Sequence, residues 1–194
     1  MVYDPIIEGQ RYHFSVSGLL YKRNALFYDR ETLSLWSQLL SQAVTGPMTG
    51  ARLAALPAED TTWEAWKAQH PDTRVLSLVT GYDLDYGHDP YAAYPLDRSP
   101  ALLVAHGGAI HIYPFSELRK ASSPLTEEVG GECVTIVFDR ETETARVEGN
   151  RAAAVTWFVG FLLNLKDFYP EAQVYRAKRR HGERPAPAGG RHGA

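Results

Sequence analysis

The sequence predicts an α+β fold of mostly antiparallel sheet, arranged as a degenerate two-fold repeat of hairpin–helix–strand units. Three observations predict it. Tyr28-Asp29-Arg30-Glu31-Thr32 recurs as Phe138-Asp139-Arg140-Glu141-Thr142, and His70-Pro71-Asp72-Thr73-Arg74-Val75-Leu76 recurs in the same order as Tyr169-Pro170-Glu171-Ala172-Gln173-Val174-Tyr175. Around the second Asp-Arg-Glu-Thr, Val134, Ile136 and Phe138 alternate with polar residues before the turn, and Ala145 and Val147 alternate after it, which is the period of a β-hairpin. Gly107-Gly108 separates two further apolar runs, and paired glycines accept the positive φ angles of a two-residue hairpin turn.

The offsets between copies are 110 and 99 residues. The second copy is therefore shorter, and what it lacks lies around Gly46-Pro47-Met48-Thr49-Gly50 and Leu53. The repeat decides an ambiguous segment. Leu33, Leu35, Trp36, Leu39, Leu40 and Ala43 fit one side of a helix by spacing, but their counterpart is a hairpin, so residues 25–28 and 34–38 are read as its strands. The aspartate opening each turn can accept from the backbone two or three residues on and close it. Before this hairpin, Tyr12–Val16 alternates as a strand. After it, Thr61 and Glu64 form a capping-box pattern for a helix that Pro71 ends, with Trp63 and Trp66 on one face as core residues. Strands follow at Ala101–Ala105 and Ala109–Tyr113. A second, almost wholly apolar helix is expected from about Trp157 to Phe168, central to the fold or at an interface. Each helix leads through Pro71 or Pro170 into a short strand.

These elements predict one globular domain over 1–175, with lobes at about 1–80 and 101–175, and a disordered basic tail at 176–194. With 194 residues the chain buries enough surface to need no disulfide or metal staple. The tail carries six basic residues against one acid, a surplus of +5 that leaves −8 on the body of a chain whose total is −3. An acidic body argues against a nucleic-acid-binding fold. No run of residues is long and apolar enough for a transmembrane helix. Met1-Val2-Tyr3-Asp4-Pro5 is not a secretory signal, so the sequence as given reads as cytoplasmic, and as extracytoplasmic if a signal lies upstream.

Several strings taken in order carry a resemblance: Ser17-Gly18-Leu19-Leu20-Tyr21, Tyr28-Asp29-Arg30-Glu31-Thr32, Ser34-Leu35-Trp36-Ser37-Gln38, Gly46-Pro47-Met48-Thr49-Gly50, Tyr86-Gly87-His88-Asp89-Pro90-Tyr91 and Tyr113-Pro114-Phe115. From Met1 to about Tyr175 the chain resembles the bacterial and archaeal family called domain of unknown function 3179. The resemblance brings no established activity. It does imply that a segment similar to Met1-Val2-Tyr3-Asp4 follows a Cys-Pro-Leu-Cys or Cys-Pro-Leu-Thr motif, with selenocysteine at the first position in some members. On that basis Met1 is expected to be an internal methionine, with the motif upstream across an in-frame UGA codon. A selenol or a low-pKa thiol there would attack disulfides or peroxides, or bind a soft metal such as copper. The expected function is thiol or selenol redox chemistry with the nucleophile upstream of Met1; as given, the chain would be inactive. The alternative is a non-catalytic module that binds a small polar ligand or metal.

The expected ligand-binding residues form two groups and one further histidine. Tyr21, Asn24, Asp29, Trp36 and Gln38, with Ser34, gather more polar side chains on one hairpin than its turn needs, and are read as a pocket wall. Tyr86, Asp89 and Tyr91 belong to a Tyr/Asp loop suited to stacking on a polar ligand such as a sugar. A calcium loop is disfavoured there by Gly87 at a ligand position. His106 and His111 flank the Gly-Gly turn and could face each other across it, but no third metal ligand lies near. Cys133, the sole cysteine, is read as a buried small hydrophobe in the strand 132–138. No cofactor fingerprint, GxSxG, HExxH or P-loop occurs. The expected partners are a small polar substrate or a redox partner. No catalytic residue, cofactor or oligomeric state is assigned.

Overall fold

A computed structural model describes residues 1–56, 58, 61–77, 79, 97–149 and 155–178. Its elements run β1 (Val2–Tyr3), β2 (Ile6–Ile7), β3 (Gln10–Arg11), β4 (Phe14–Tyr21), β5 (Asn24–Asp29), β6 (Leu35–Ser37), β7 (Gln42–Thr45), β8 (Ala55–Leu56) and α1 (Trp63–Gln69). They continue with β9 (Pro100–His106), β10 (Ala109–Pro114), α2 (Phe115–Leu118), β11 (Leu125–Val129), β12 (Glu132–Asp139), β13 (Thr144–Glu148), β14 (Thr156–Phe161), α3 (Leu162–Phe168) and β15 (Gln173–Val174). The fold is α+β and mostly antiparallel, as the sequence predicts. One pair, β10 with β15, is parallel.

In the second half, a sheet ordered β14-β9-β10-β15 is covered on both faces. Leu102 and Val104 of β9 point with Tyr113 into a core shared with α2 and the β11-β12-β13 sheet, where Val129, Val134, Ile136, Phe138 and Val147 are buried. Ala101, Leu103, Ile112 and Phe158 face the other way, onto Leu165 and Phe168 of α3. Strands buried on both faces lose the polar alternation that marks a half-buried strand. That is why the expected helix from Trp157 divides in two. Residues Thr156–Phe161 pair antiparallel with β9, in register Phe158↔Leu103, and the helix begins only at Leu162. Trp157 and Val159 pack on one core and Phe158 on the other, so the segment is apolar all round without being helical.

The Gly107-Gly108 turn joins β9 to β10 as expected, with φ of 55° and 83°. It is pressed by Gly130, where an added Cβ would lie 2.1 Å from the His106 carbonyl oxygen. His106 and His111 do not face each other directly: His106 pairs with Ala109 and His111 with Val104.

In the first half, β4-β5-β6-β7 forms a four-stranded sheet. The expected strands at 25–28 and 34–38 appear as β5 and β6, and the helical reading of 33–43 is excluded. A third core of Ile7, Tyr12, Trp36 and Ala43, flanked by Phe14, Phe27, Met48, Ala51 and Leu53, lies on one face of this sheet. Leu39 leaves that half and packs among Ala101, Leu103 and Leu165. The Tyr169 hydroxyl donates to the Leu39 carbonyl, and the Arg23 guanidinium pairs with Asp167, so the halves are joined by apolar and polar contacts.

Four other expectations are corrected. Helix α1 is capped by Thr62, whose hydroxyl accepts from the Ala65 amide at 3.2 Å, and not by Thr61. Trp63 and Trp66 are exposed, not core. Trp66 stacks on His70 at 4.0 Å and donates its indole N–H to Thr73, which gives it local partners without burial. Cys133 is exposed: Val134, Ile136 and Phe138 take the inward positions of β12, so the residue before Val134 faces out. The segment after Pro71 is not a strand through residue 77, whereas the one after Pro170 is β15. Residues 179–194, most of the expected tail, lie outside the described residues.

Candidate functional site: an aromatic pocket backed by a buried carboxylate

Register places the site. Counting out from the turn, Tyr28 pairs with Leu35 and Phe27 with Trp36, while Phe14 of β4 pairs with Asp29. Phe14, Phe27, Asp29 and Trp36 therefore share one face, the face over the third core. The indole ring of Trp36 stands edge-on to Phe14, 5.5 Å between centroids at 84°, a favoured aromatic geometry.

Asp29 is fully buried. Its carboxylate accepts from the Trp36 indole N–H at 2.8 Å, from the Thr32 amide at 2.5 Å and from the Thr32 hydroxyl at 2.8 Å. Since the Thr32 hydroxyl hydrogen goes to Asp29, the 2.7 Å contact between Thr32 and Ser34 hydroxyls must be donated by Ser34. The Ser34 oxygen in turn accepts from the Met48 amide at 3.0 Å. Every donor in this chain points toward the carboxylate. Burial pushes the Asp29 carboxyl up, but the bonds from Trp36 and Thr32 outweigh it and hold it below the usual carboxylate range. Gly46 lets the Met48 turn approach: at φ 93° it has no Cβ, and one added there would sit 2.6 Å from Ser34 Cα.

In front of this network lies a cavity of about 210 Å³ lined by Met1, Tyr3, Phe14, Phe27, Trp36, Gln38 and Leu53. Trp36 forms its floor, with 1% of its surface exposed. Gln38 donates through Nε2 to Asn24 Oδ1 at 3.3 Å. The Tyr3 hydroxyl donates to the Gln38 carbonyl and lies 3.0 Å from the Ser41 hydroxyl. Burial raises the Tyr3 phenol, and the Ser41 bond only partly offsets this, so Tyr3 is a neutral wall at physiological pH.

Of the expected site residues, Trp36 and Gln38 line the pocket, and Asn24 and Asp29 stand directly behind them. Tyr21 does not belong to it: its ring packs edge-on to Phe168 at 5.5 Å, at the junction of the halves. His106 lies at the end of β9, among residues of the other half. Tyr86, Asp89 and Tyr91 lie outside the described residues. Sequence reasoning missed Tyr3, Phe14, Phe27 and Leu53. The signal for Phe14 and Phe27 was present in the hairpin register, since an Asp-to-Ser closure at 29–34 puts Phe27 opposite Trp36. Tyr3 and Leu53 arrive through tertiary packing alone.

A second hollow of about 440 Å³ lies between Gly108–His111 and Phe168–Gln173. Among the described residues, no group of three or more His, Cys, Asp or Glu is placed to hold a metal ion, and no helix is long and apolar enough to cross a membrane.

Fold and site together define a mostly antiparallel α+β domain that carries a small aromatic pocket over a buried acid. The chain belongs to the family described as Protein of unknown function (DUF3179), whose model matches residues 1–183. No curated protein and no solved structure matches it.

Proposed function

We propose that this chain is a binding domain for a small ligand, and that its site is the pocket floored by Trp36. The observation that carries this reading is the way Asp29 fixes Trp36: a fully buried acid holds the ring in one orientation, which is the preorganisation that ligand sites use. At about 210 Å³ the cavity is below the ~300–1,000 Å³ of sites for drug-sized molecules, so it suits a ligand the size of a head group. A thermal-shift screen of small molecules tests this, run on the parent and on Leu53→Trp, which fills the cavity. Stabilising compounds that lose their effect in Leu53→Trp support the reading. If every stabilising compound acts equally on both proteins, the pocket is not the site.

A second reading, redox chemistry, is favoured by one observation: Met1 lines this same pocket, its sulfur 3.2 Å from the Tyr3 hydroxyl. By the family resemblance, a Cys-Pro-Leu motif would precede Met1 by a few residues. At ~3.3–3.6 Å per residue a thiol or selenol there is within reach of the pocket. It would displace one sulfur of a substrate disulfide, forming a mixed disulfide and releasing the other sulfur as thiolate. The test is translation of the upstream DNA through any UGA codon, followed by a disulfide-reductase assay of the extended protein with that residue changed to serine. Absence of the motif, or activity unchanged by the serine, removes this reading. The likeness of the two Asp-Arg-Glu-Thr turns further supports reading the chain as a degenerate duplication whose first half carries the site.

A further inference from the structure

Tyr3, Phe14, Phe27 and Trp36 bring four aromatic rings to one cavity, and Met1 adds a polarisable thioether. No lysine or arginine is among its lining residues. Behind the floor, Asp29 is buried and ionised, and its donors are an amide, a hydroxyl and an indole, all neutral. It takes part in none of the ion pairs recorded among the described residues. Among the described residues, then, no ion pair neutralises the charge behind Trp36, neither from a lysine or arginine nor from the α-ammonium of Met1, itself a lining residue.

The indole N–H bond to that carboxylate also pushes electron density into the ring, which strengthens the negative face that attracts cations. On the reading that this cavity is a ligand site, we propose that its ligand is a cation of the methylated-ammonium class. A primary ammonium carries three N–H donors that need acceptors; among the lining residues only Tyr3 and Gln38 carry side-chain oxygens, too few for three donors against walls of Met1, Phe14, Phe27 and Leu53, so burying it there carries a desolvation cost. A trimethylammonium group has no donors to satisfy. Its charge is spread over methyl groups that pack against ring faces and sulfur. A neutral apolar head group fits the same walls but gains nothing from Asp29.

The test compares choline with 3,3-dimethylbutan-1-ol, in which carbon replaces the charged nitrogen, by isothermal titration into the full chain. The expected result is that choline binds about tenfold or more tighter than the alcohol. That preference shrinks in Asp29→Asn and Trp36→Phe, and Leu53→Trp abolishes binding of both. Because Asp29→Asn removes a buried partner and can unfold the chain, Phe27→Leu serves as a second variant. It keeps an apolar wall, removes one ring face, and is expected to weaken choline more than the alcohol. Equal binding of the two compounds overturns the cation assignment while leaving the pocket as a ligand site. Binding of neither also overturns the cation assignment, and the thermal-shift screen then decides the pocket separately.

Discussion

Asp29 and Asp139 open turns spelled by the same four residues, and the chain folds them alike up to a point. Both carboxylates accept from the amide of the threonine three residues on. In both, the threonine hydroxyl meets a hydroxyl two residues further, Ser34 or Thr144, at 2.7 and 2.9 Å. The residue between, Leu33 or Glu143, has positive φ, 59° and 52°. The hairpins then turn opposite faces to their cores. In the second, Phe138 and Ala145 pair inward, so Asp139 and Arg146 face out. In the first, Phe27 and Trp36 pair inward, and Asp29, on their face, is buried with them. Local sequence sets the turn; a shift of one residue in which face is apolar decides whether its acid caps a loop or backs a pocket.

The neighbouring residues follow the same division. Seven residues after the aspartate stands Trp36 in one hairpin and Arg146 in the other; the first donates to Asp29, the second pairs with Glu148. Arg30 reaches Ser15 and Glu31 accepts from the His13 amide, tying the first turn to the start of β4 and the segment before it. Arg140 donates to the carbonyls of Arg119 and Ala121 beyond α2. The turn is a reusable part, and its arms dock on whatever lies beside it.

The largest expected effect separates the two acids. Asp29→Ala leaves the Trp36 N–H and the Thr32 amide without an acceptor in a buried site, and at about 1–3 kcal/mol for each unsatisfied group is expected to cost about 2–5 kcal/mol in urea unfolding at neutral pH. Asp139→Ala, at an exposed turn, is expected to cost clearly less. Equal losses would show that burial of Asp29 is not what distinguishes the two turns. The pH dependence has a definite sign. Because the folded carboxyl of Asp29 lies below its usual range, its contribution is complete above the unfolded value of about 3.9 and is lost as pH falls through the folded value. Stability measured downward from pH 6 is expected to fall in that acid window, with the Asp29 share of the slope absent in Asp29→Asn. Asp139, lowered by the amides of Thr142 and Glu141, contributes in the same direction.

Next in size is Gly46→Ala. It forces a positive-φ position into a side chain and drives a Cβ to 2.6 Å from the Ser34 backbone. A loss of about 2–3 kcal/mol is expected, with weaker ligand binding because Ser34 and Met48 move apart. A loss confined to stability, with pocket binding intact, would show that the Met48 turn does not support the site.

Much of this was legible in the sequence, and the boundary of what was not is physical. The turns and the Gly107-Gly108 hairpin were readable because Asp, Thr and Gly solve backbone problems locally, whatever packs on them. The strand at 156–161 was not, because burial on both faces erased its alternation. For Asp29, the string Ala25-Leu26-Phe27-Tyr28 is apolar on both faces and gives no hint which one meets the core. Trp63 and Trp66 were misplaced because hydrophobicity predicts burial only where a partner surface exists. In the pocket, Trp36 and Gln38 were found through the hairpin, while Tyr3 and Leu53 come from distant segments that only packing unites.

The smallest expected effect tests whether the directed chain of hydrogen bonds matters beyond the acid itself. Ser34→Ala keeps Asp29, Thr32 and Trp36 but removes the link that passes a hydrogen bond from the Met48 amide to the Thr32 hydroxyl. The Thr32 hydroxyl still donates to Asp29, so the acid stays satisfied; what is lost is one neutral bond and the acceptor for Met48, about 1 kcal/mol. Thr144→Ala removes the corresponding hydroxyl of the exposed turn, where water can replace it, and is expected to stay within about 0.5 kcal/mol of the parent. A Ser34→Ala loss as small as that of Thr144→Ala would mean that the first turn is held by Asp29 alone. A loss approaching that of Asp29→Ala would mean that the hydroxyl chain and the carboxylate act as one cooperative unit, and the difference between the turns would then begin at Ser34, the residue on which the Met48 turn docks.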